Sequence, residues 1–206
     1  MLTHAHGTPR ALFAFAHGAG AGMRHAFMAA VADRLAALGV TTLRYQFPYM
    51  ERGRKPPDRP PVLIETVRAA VRDARSRFPG LPLIAGGKSM GGRMTSTAAS
   101  MEPLPGVAGL AFFGFPLHPA GRDSVERGAH LESVGLPMLF LQGTRDKLAN
   151  LELLEPLLGD VSPRPTLHVL EGADHGFHVL KRSGRTDDEV LDEACRTFSD
   201  WVGALT

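Results

Sequence analysis

An alternation running the length of the chain constrains its fold more than any other feature. Short, mostly apolar, strand-like runs at residues 12–16, 40–47, 81–85, 107–115, 138–141 and 166–170 are separated by stretches of a different rhythm. In those stretches apolar residues recur at three- and four-residue steps, the period of an amphipathic helix. Phe27, Val31, Leu35 and Leu38 share one such face, and Leu63, Val67, Val71, Ala74 and Phe78 share the next. A small-residue helix is predicted from Met90 to about Met101, and another within 148–158 despite Pro156. Thr186-Asp187-Asp188-Glu189 has the form of a capping box. It opens a last helix carrying Leu191, Ala194, Phe198, Trp201 and Leu205. Strands apolar on both faces belong in a parallel sheet covered by helices on each side. The expected fold is α/β: three layers, doubly wound, with a mostly parallel six-stranded sheet and no cap domain. Right-handed crossovers then place a ligand site at the carboxyl ends of the strands.

Length and composition narrow the function classes. With 206 residues, the expectation is a single domain spanning 1–206. Such a domain buries roughly 70% of its unfolded surface and needs no staples. The single cysteine, Cys195, excludes an internal disulfide framework and a Cys-rich zinc site, and it falls on the apolar side of the last helix as a core residue. No uncharged apolar run approaches the roughly 18 residues of a membrane span. A net charge of +2 does not predict nucleic-acid binding unless it is clustered. The one cluster is Arg52, Arg54, Lys55 and Arg59 among the four prolines of residues 50–61, which reads as an exposed, stiff loop. Arg10 followed by the apolar run ending in Ala14-Phe15-Ala16 is too short and too weakly charged for a signal peptide. A cytoplasmic location is expected.

Glycine-rich turns follow two of the strands, and neither fits a nucleotide loop. Gly18-Ala19-Gly20-Ala21-Gly22 is followed by Met23 where G-x-G-x-x-G needs glycine, and Pro82 stands where a Walker A loop needs its first glycine. Gly87-Lys88-Ser89-Met90-Gly91 is instead G-x-S-x-G. A serine on a sharp strand-to-helix turn brings its neighbours two away on either side into close approach, and glycine relieves that crowding. The turn lifts the hydroxyl clear of the sheet and sets the next N–H at a helix N-terminus, where it can stabilise negative charge.

A serine hydroxyl needs a base to become a nucleophile. In this layout the order is Ser, then Asp or Glu, then His, each just past a strand. Asp146 follows the 138–141 run and His175 follows the 166–170 run. The expected roles are Ser89 attacking, His175 as base and then acid, and Asp146 orienting the imidazole. Asp123 is the alternative acid. His178 reads as a packed or surface residue, although His175, His178 and Asp174 have tolerable metal spacing. Met90 N–H and Ala19 N–H, with Gly20 as fallback, are the expected oxyanion donors. Phe47, Tyr49, Met50, Phe115, His118 and Phe177 are the expected pocket walls.

His17-Gly18-Ala19-Gly20, Gly87-Lys88-Ser89-Met90-Gly91-Gly92, Gly143-Thr144-Arg145-Asp146 and Gly172-Ala173-Asp174-His175 resemble the α/β-hydrolase superfamily. They are most similar to its small lid-less, dienelactone-hydrolase-like group. That group includes bacterial predicted hydrolases and the testis-expressed and NSL-complex-subunit proteins of animals. Phe115-Pro116-Leu117-His118-Pro119 shares the resemblance, which covers nearly the whole chain. It implies a Ser89, Asp146, His175 triad with Ala19 and Met90 at the oxyanion hole. The N-terminus is too short for the first two strands of a full eight-stranded sheet. Dienelactone hydrolase would have cysteine where Ser89 stands, so its substrate does not carry over. The expected activity is hydrolysis of small carboxylic esters or thioesters through an acyl-enzyme, without a cofactor or metal. The same site permits acyl transfer to another acceptor. A protein-interaction module with little turnover is the alternative, which leaves a protein partner open.

Overall fold

The six apolar runs all become strands of one sheet in the computed structural model, which describes residues 1–205. They are β2 (Ala11–Ala16), β3 (Val40–Tyr45), β4 (Leu83–Lys88), β5 (Val107–Phe113), β6 (Met138–Gly143) and β7 (Thr166–Leu170), and they pair in parallel. A seventh strand, β1 (Leu2–Thr3), adds antiparallel to β3 at the edge, with Leu2 opposite Leu43. The six-strand expectation is corrected here: two residues are too few to show a period of two. The order is β1-β3-β2-β4-β5-β6-β7. The winding reverses between β2 and β4, so a crevice opens at their carboxyl ends.

The helices are α1 (Ala26–Ala37), α2 (Pro48–Glu51), α3 (Pro60–Arg77), α4 (Met90–Met101), α5 (Leu151–Gly159) and α6 (Asp187–Leu205). Strand alternation distributes the core between two faces. Phe13 and Phe15 of β2 point toward α1 and α6, where Phe13 meets Phe198 at 4.7 Å between centroids. Leu12 and Ala14 point the other way, into a cluster with Leu63 and Val67 of α3 and Met94 of α4. Full burial of each such phenylalanine contributes about 1.5–3 kcal/mol.

Local signals set the boundaries. Glu189 Oε2 accepts from Thr186 N–H at 2.7 Å while Glu189 N–H donates to Thr186 Oγ1 at 3.2 Å, closing the capping box. Asn150 caps α5 by accepting from Glu152 N–H at 3.0 Å. Residues 50–61 include the end of α2 and the first residues of α3, whose N1 position is Pro60. Arg52 holds the intervening loop through both oxygens of Asp58 at 2.8 and 2.9 Å. Strand β4 continues through Gly86 and Gly87 because the sheet is tight there: a Cβ on Gly86 would collide with the Ala111 carbonyl. The connection from β5 to β6 contains a 3-10 segment, Glu126–Ser133, which packs on α4. Among the described residues no helix is long and apolar enough to cross a membrane.

Candidate active site

Ser89 joins β4 to α4 with φ 51° and ψ −119°, a conformation that residues with a Cβ seldom adopt. The flanking glycines make the turn possible. A Cβ on Gly87 would lie 2.6 Å from Ala16 O, and one on Gly91 would lie 2.6 Å from both Ala16 O and His17 O. These are main-chain atoms at and just past the end of β2 and cannot swing away. Gly91→Ala is therefore expected to cost about 1–3 kcal/mol of stability by overpacking. A denaturant midpoint equal to wild type would show that the strand yields after all.

The next two expected residues arrive from strand ends to the same side. His175, in the turn after β7, places Nε2 2.8 Å from Ser89 Oγ. Its Nδ1 lies 2.7 Å from Asp146 Oδ2, in the turn after β6. Asp146 is buried and its carboxylate is fixed by further donors: Gln142 Nε2 at 2.5 Å on Oδ2 and Leu148 N–H at 2.7 Å on Oδ1. The carboxylate only accepts, so Nδ1 carries the hydrogen and Nε2 faces the serine hydroxyl as acceptor. Gln142 escaped the sequence reading. Its signal was one polar residue near the end of an otherwise apolar strand.

His17 is fully buried at the end of β2, and its role also went unread. Nε2 accepts the Phe47 N–H at 3.1 Å, so Nδ1 must be the donor to Gly18 O at 2.8 Å. Burial pushes its pKa below the usual imidazole value, consistent with a neutral ring. The ring thereby pins the 17–20 loop to Phe47, the residue that opens α2. A Cβ on Gly18 would lie 3.6 Å from Ser89 Cβ, so this loop borders the elbow. Gly20 N–H points to Tyr49 Oη at 3.4 Å, while Ala19 is exposed beside Ser89 in the cavity lining.

That cavity has a volume of about 580 Å³. Of the expected walls, only Phe177 lines it; Phe27, Met28 and Ala30 of α1, Leu148, and Leu191 of α6 form much of the rest. Phe47, Tyr49 and Phe115 are corrected to core positions, each fully buried. Phe115 packs on Phe112 and Phe140 with both centroid distances 5.4 Å, and Phe47 and Tyr49 surround the His17 ring. His118 is buried too, accepting from Asn150 N–H at 2.9 Å, and borders a different pocket beyond Asp146. Met50 packs against the core cluster beneath the loop. Apolar residues just past a strand end satisfy burial by folding inward, which the sequence pattern does not distinguish from lining a pocket.

The remaining expectations separate clearly. Asp123 is exposed and accepts from Asn150 Nδ2 at 2.9 Å, away from His175. His178 is exposed and pairs with Asp187 at 2.7 Å on the cavity rim. Both ring nitrogens of His175 are engaged, and Asp174 Oδ1 accepts from Gly176 and His178 N–H, so the three do not converge on a metal. Among the described residues no group of three or more such side chains is arranged for one. Burial pushes the Cys195 thiol up to about 12, leaving it protonated within the α6 core.

Comparison with solved structures places this fold among α/β hydrolases. An alpha-beta serine hydrolase homologue from Coxiella burnetii superposes with a TM-score of 0.75 at 21% identity, over 96% of this chain and 89% of that one. A dienelactone hydrolase from Anabaena variabilis gives 0.74 at 20% identity, over 97% and 88%. A serine hydrolase without lid from Xanthomonas campestris gives 0.70 at 21%, over 96% and 87%. The sequence pattern of the alpha/beta hydrolase domain family matches residues 9–203. The chain thus belongs to the alpha/beta hydrolase domain family and has the fold of its small lid-less members.

Proposed function

We propose that the protein is a serine hydrolase acting on small carboxylic esters or thioesters. The observation that carries this reading is the unbroken hydrogen-bonded line from Asp146 through His175 to Ser89, at the mouth of an apolar cavity. Nε2 of His175 takes the hydroxyl proton as Ser89 Oγ attacks the acyl carbon. Asp146 stabilises the imidazolium that forms. The carbonyl oxygen gains the negative charge, and Met90 N–H, in the first turn of α4, with Ala19 N–H is the proposed donor pair. Collapse expels the alcohol or thiol, which receives the proton from His175 and leaves an acyl-serine. Water then repeats the sequence in reverse and releases the acid. Atoms and charge balance without a cofactor.

The lining favours an apolar acyl group. Each methylene that enters such a cavity gains about 0.8 kcal/mol, or roughly fourfold in apparent affinity. In a panel of p-nitrophenyl esters, KM is expected to fall stepwise from acetate toward hexanoate. A fluorophosphonate should label one site, located by peptide mass spectrometry at Ser89. A folded protein that neither takes the label nor turns over any ester in the panel would overturn the reading.

A further inference from the structure

Lys88 occupies the variable position between Gly87 and Ser89, and its side chain runs under the turn that carries His175. Nζ donates to the main-chain carbonyl oxygen of His175. It lies 5.2 Å from the ring centroid of Phe27 and 4.8 Å from that of Phe177, within cation–π range of both. Gly114 clears the space, since a Cβ there would stand 2.8 Å from Nζ and 3.5 Å from His175 Cε1. Phe177 has φ 68°, so the turn after His175 holds a side-chain-bearing residue in the left-handed region. Such a conformation persists only where the surroundings hold it.

Lys88 is half-buried at the cavity lining, a setting that works against its charge. Burial lowers its ammonium from an ordinary 10.5 to about 8, partly opposed through space by the carboxylates of Asp146 and Asp174. Among the described residues no carboxylate forms an ion pair with it, and its one hydrogen bond is the one to His175 O. Methionine has a similar length and would fill the gap between two phenylalanines without a charge to desolvate. Packing alone therefore does not account for lysine here.

We propose that Lys88 is a positioning residue, tying the turn that carries His175 to the elbow that carries Ser89, so that the imidazole stays over the hydroxyl. The proposal rests on Ser89 and His175 as the reacting pair. Lys88 adjoins Ser89 in the chain and grips the main chain of His175, so nucleophile and base are linked twice: once by Oγ···Nε2 and once through this side chain.

The titratable groups near the ammonium are the carboxylates of Asp146 from the end of β6 and Asp174 from the turn after β7, and the imidazole of His175 itself; from α1 the ring of Phe27 faces it. An ammonium is roughly twice as strong a donor as a neutral amine. The clamp is therefore strongest below about pH 8 and weakens above it. The linkage to stability has the opposite sense. The folded state disfavours the charged form, so the cost is full below about 8 and is relieved as pH rises toward 10.5.

The test compares Lys88→Met and Lys88→Gln with wild type. Lys88→Met is expected to lower kcat by roughly ten- to a hundredfold, as misplaced groups do, with KM unchanged within a factor of about three. Its thermal midpoint at pH 7 should equal or exceed that of wild type. The wild-type kcat/KM profile should decline above about pH 8, and that decline should vanish in Lys88→Met. Lys88→Gln, a shorter neutral donor, should recover part of the rate and also lack the decline. Wild-type kcat in Lys88→Met, or a loss of kcat that comes with a lower midpoint and an unaltered pH profile, overturns the proposal. Proton NMR supplies a readout independent of turnover. The low-field proton between His175 Nδ1 and Asp146 should broaden or move upfield in Lys88→Met. An unchanged signal overturns the clamp even if no ester is hydrolysed; a changed signal without any ester turnover sinks the ester reading and leaves the clamp standing.

Discussion

Ser89→Ala is expected to lower ester turnover by about 10⁶-fold, the loss typical when a serine nucleophile is removed. The same variant should take no fluorophosphonate. The fold should survive, because alanine meets the same steric demand at φ 51° as serine and only Oγ is lost. The one hydrogen bond lost with it is to His175 Nε2, a ring still held by Asp146 at 2.7 Å. A melting curve close to wild type alongside abolished turnover is the expected pair of results. Residual labelling of the alanine protein would place the nucleophile elsewhere.

Asp146→Asn should cost about 10⁴-fold in kcat, the size seen when a histidine is held in the wrong tautomer. The reason is donor count. Oδ2 accepts from His175 Nδ1 and Gln142 Nε2, and Oδ1 accepts from Leu148 N–H. An amide offers one acceptor oxygen and one NH₂. With the NH₂ toward His175, the ring must present a bare Nδ1, so Nε2 carries the hydrogen and can no longer accept from Ser89. With the NH₂ toward Leu148, two N–H groups oppose each other. Gln142 cannot rotate to compensate without surrendering the Phe115 N–H that its Oε1 accepts at 2.9 Å. One buried donor is stranded either way, so stability should also fall by about 1–3 kcal/mol. Steady-state kinetics and denaturant titration on one preparation check both numbers. A variant within tenfold of wild-type kcat would remove Asp146 from the reaction.

Much of this arrangement was legible because each part announces itself locally. The G-x-S-x-G turn carries its own steric logic, and Asp146 and His175 stand just past strands marked by their apolar runs. The capping box at Thr186 and the strand Thr166–Leu170 were equally self-contained. What could not be read depends on which elements become neighbours. Phe27 and Leu191 are 164 positions apart yet line one cavity, and nothing local distinguishes them from ordinary core residues. Phe47, Tyr49 and Phe115 had the right composition for a pocket and turned inward. Lys88 looked like filler between two motif letters until its partner, 87 residues downstream, was in place. Strand β1 was too short to carry any pattern.

The wall facing Ser89 is built by the first and last long helices, α1 and α6, while Ser89, Asp146 and His175 sit just past the carboxyl ends of β4, β6 and β7. Those two helices are laced together by Arg34, which reaches Asp188 and Asp192 at 2.6 Å each. On the proposed function, the groups that would react and the two helices that form much of the cavity wall come from different parts of the chain. Exchanging α1 and α6 as a matched pair, with Arg34, its two acids and Phe27 kept, offers a way to diversify what the protein accepts while leaving Ser89, Asp146, His175 and the contacts of Lys88 in place.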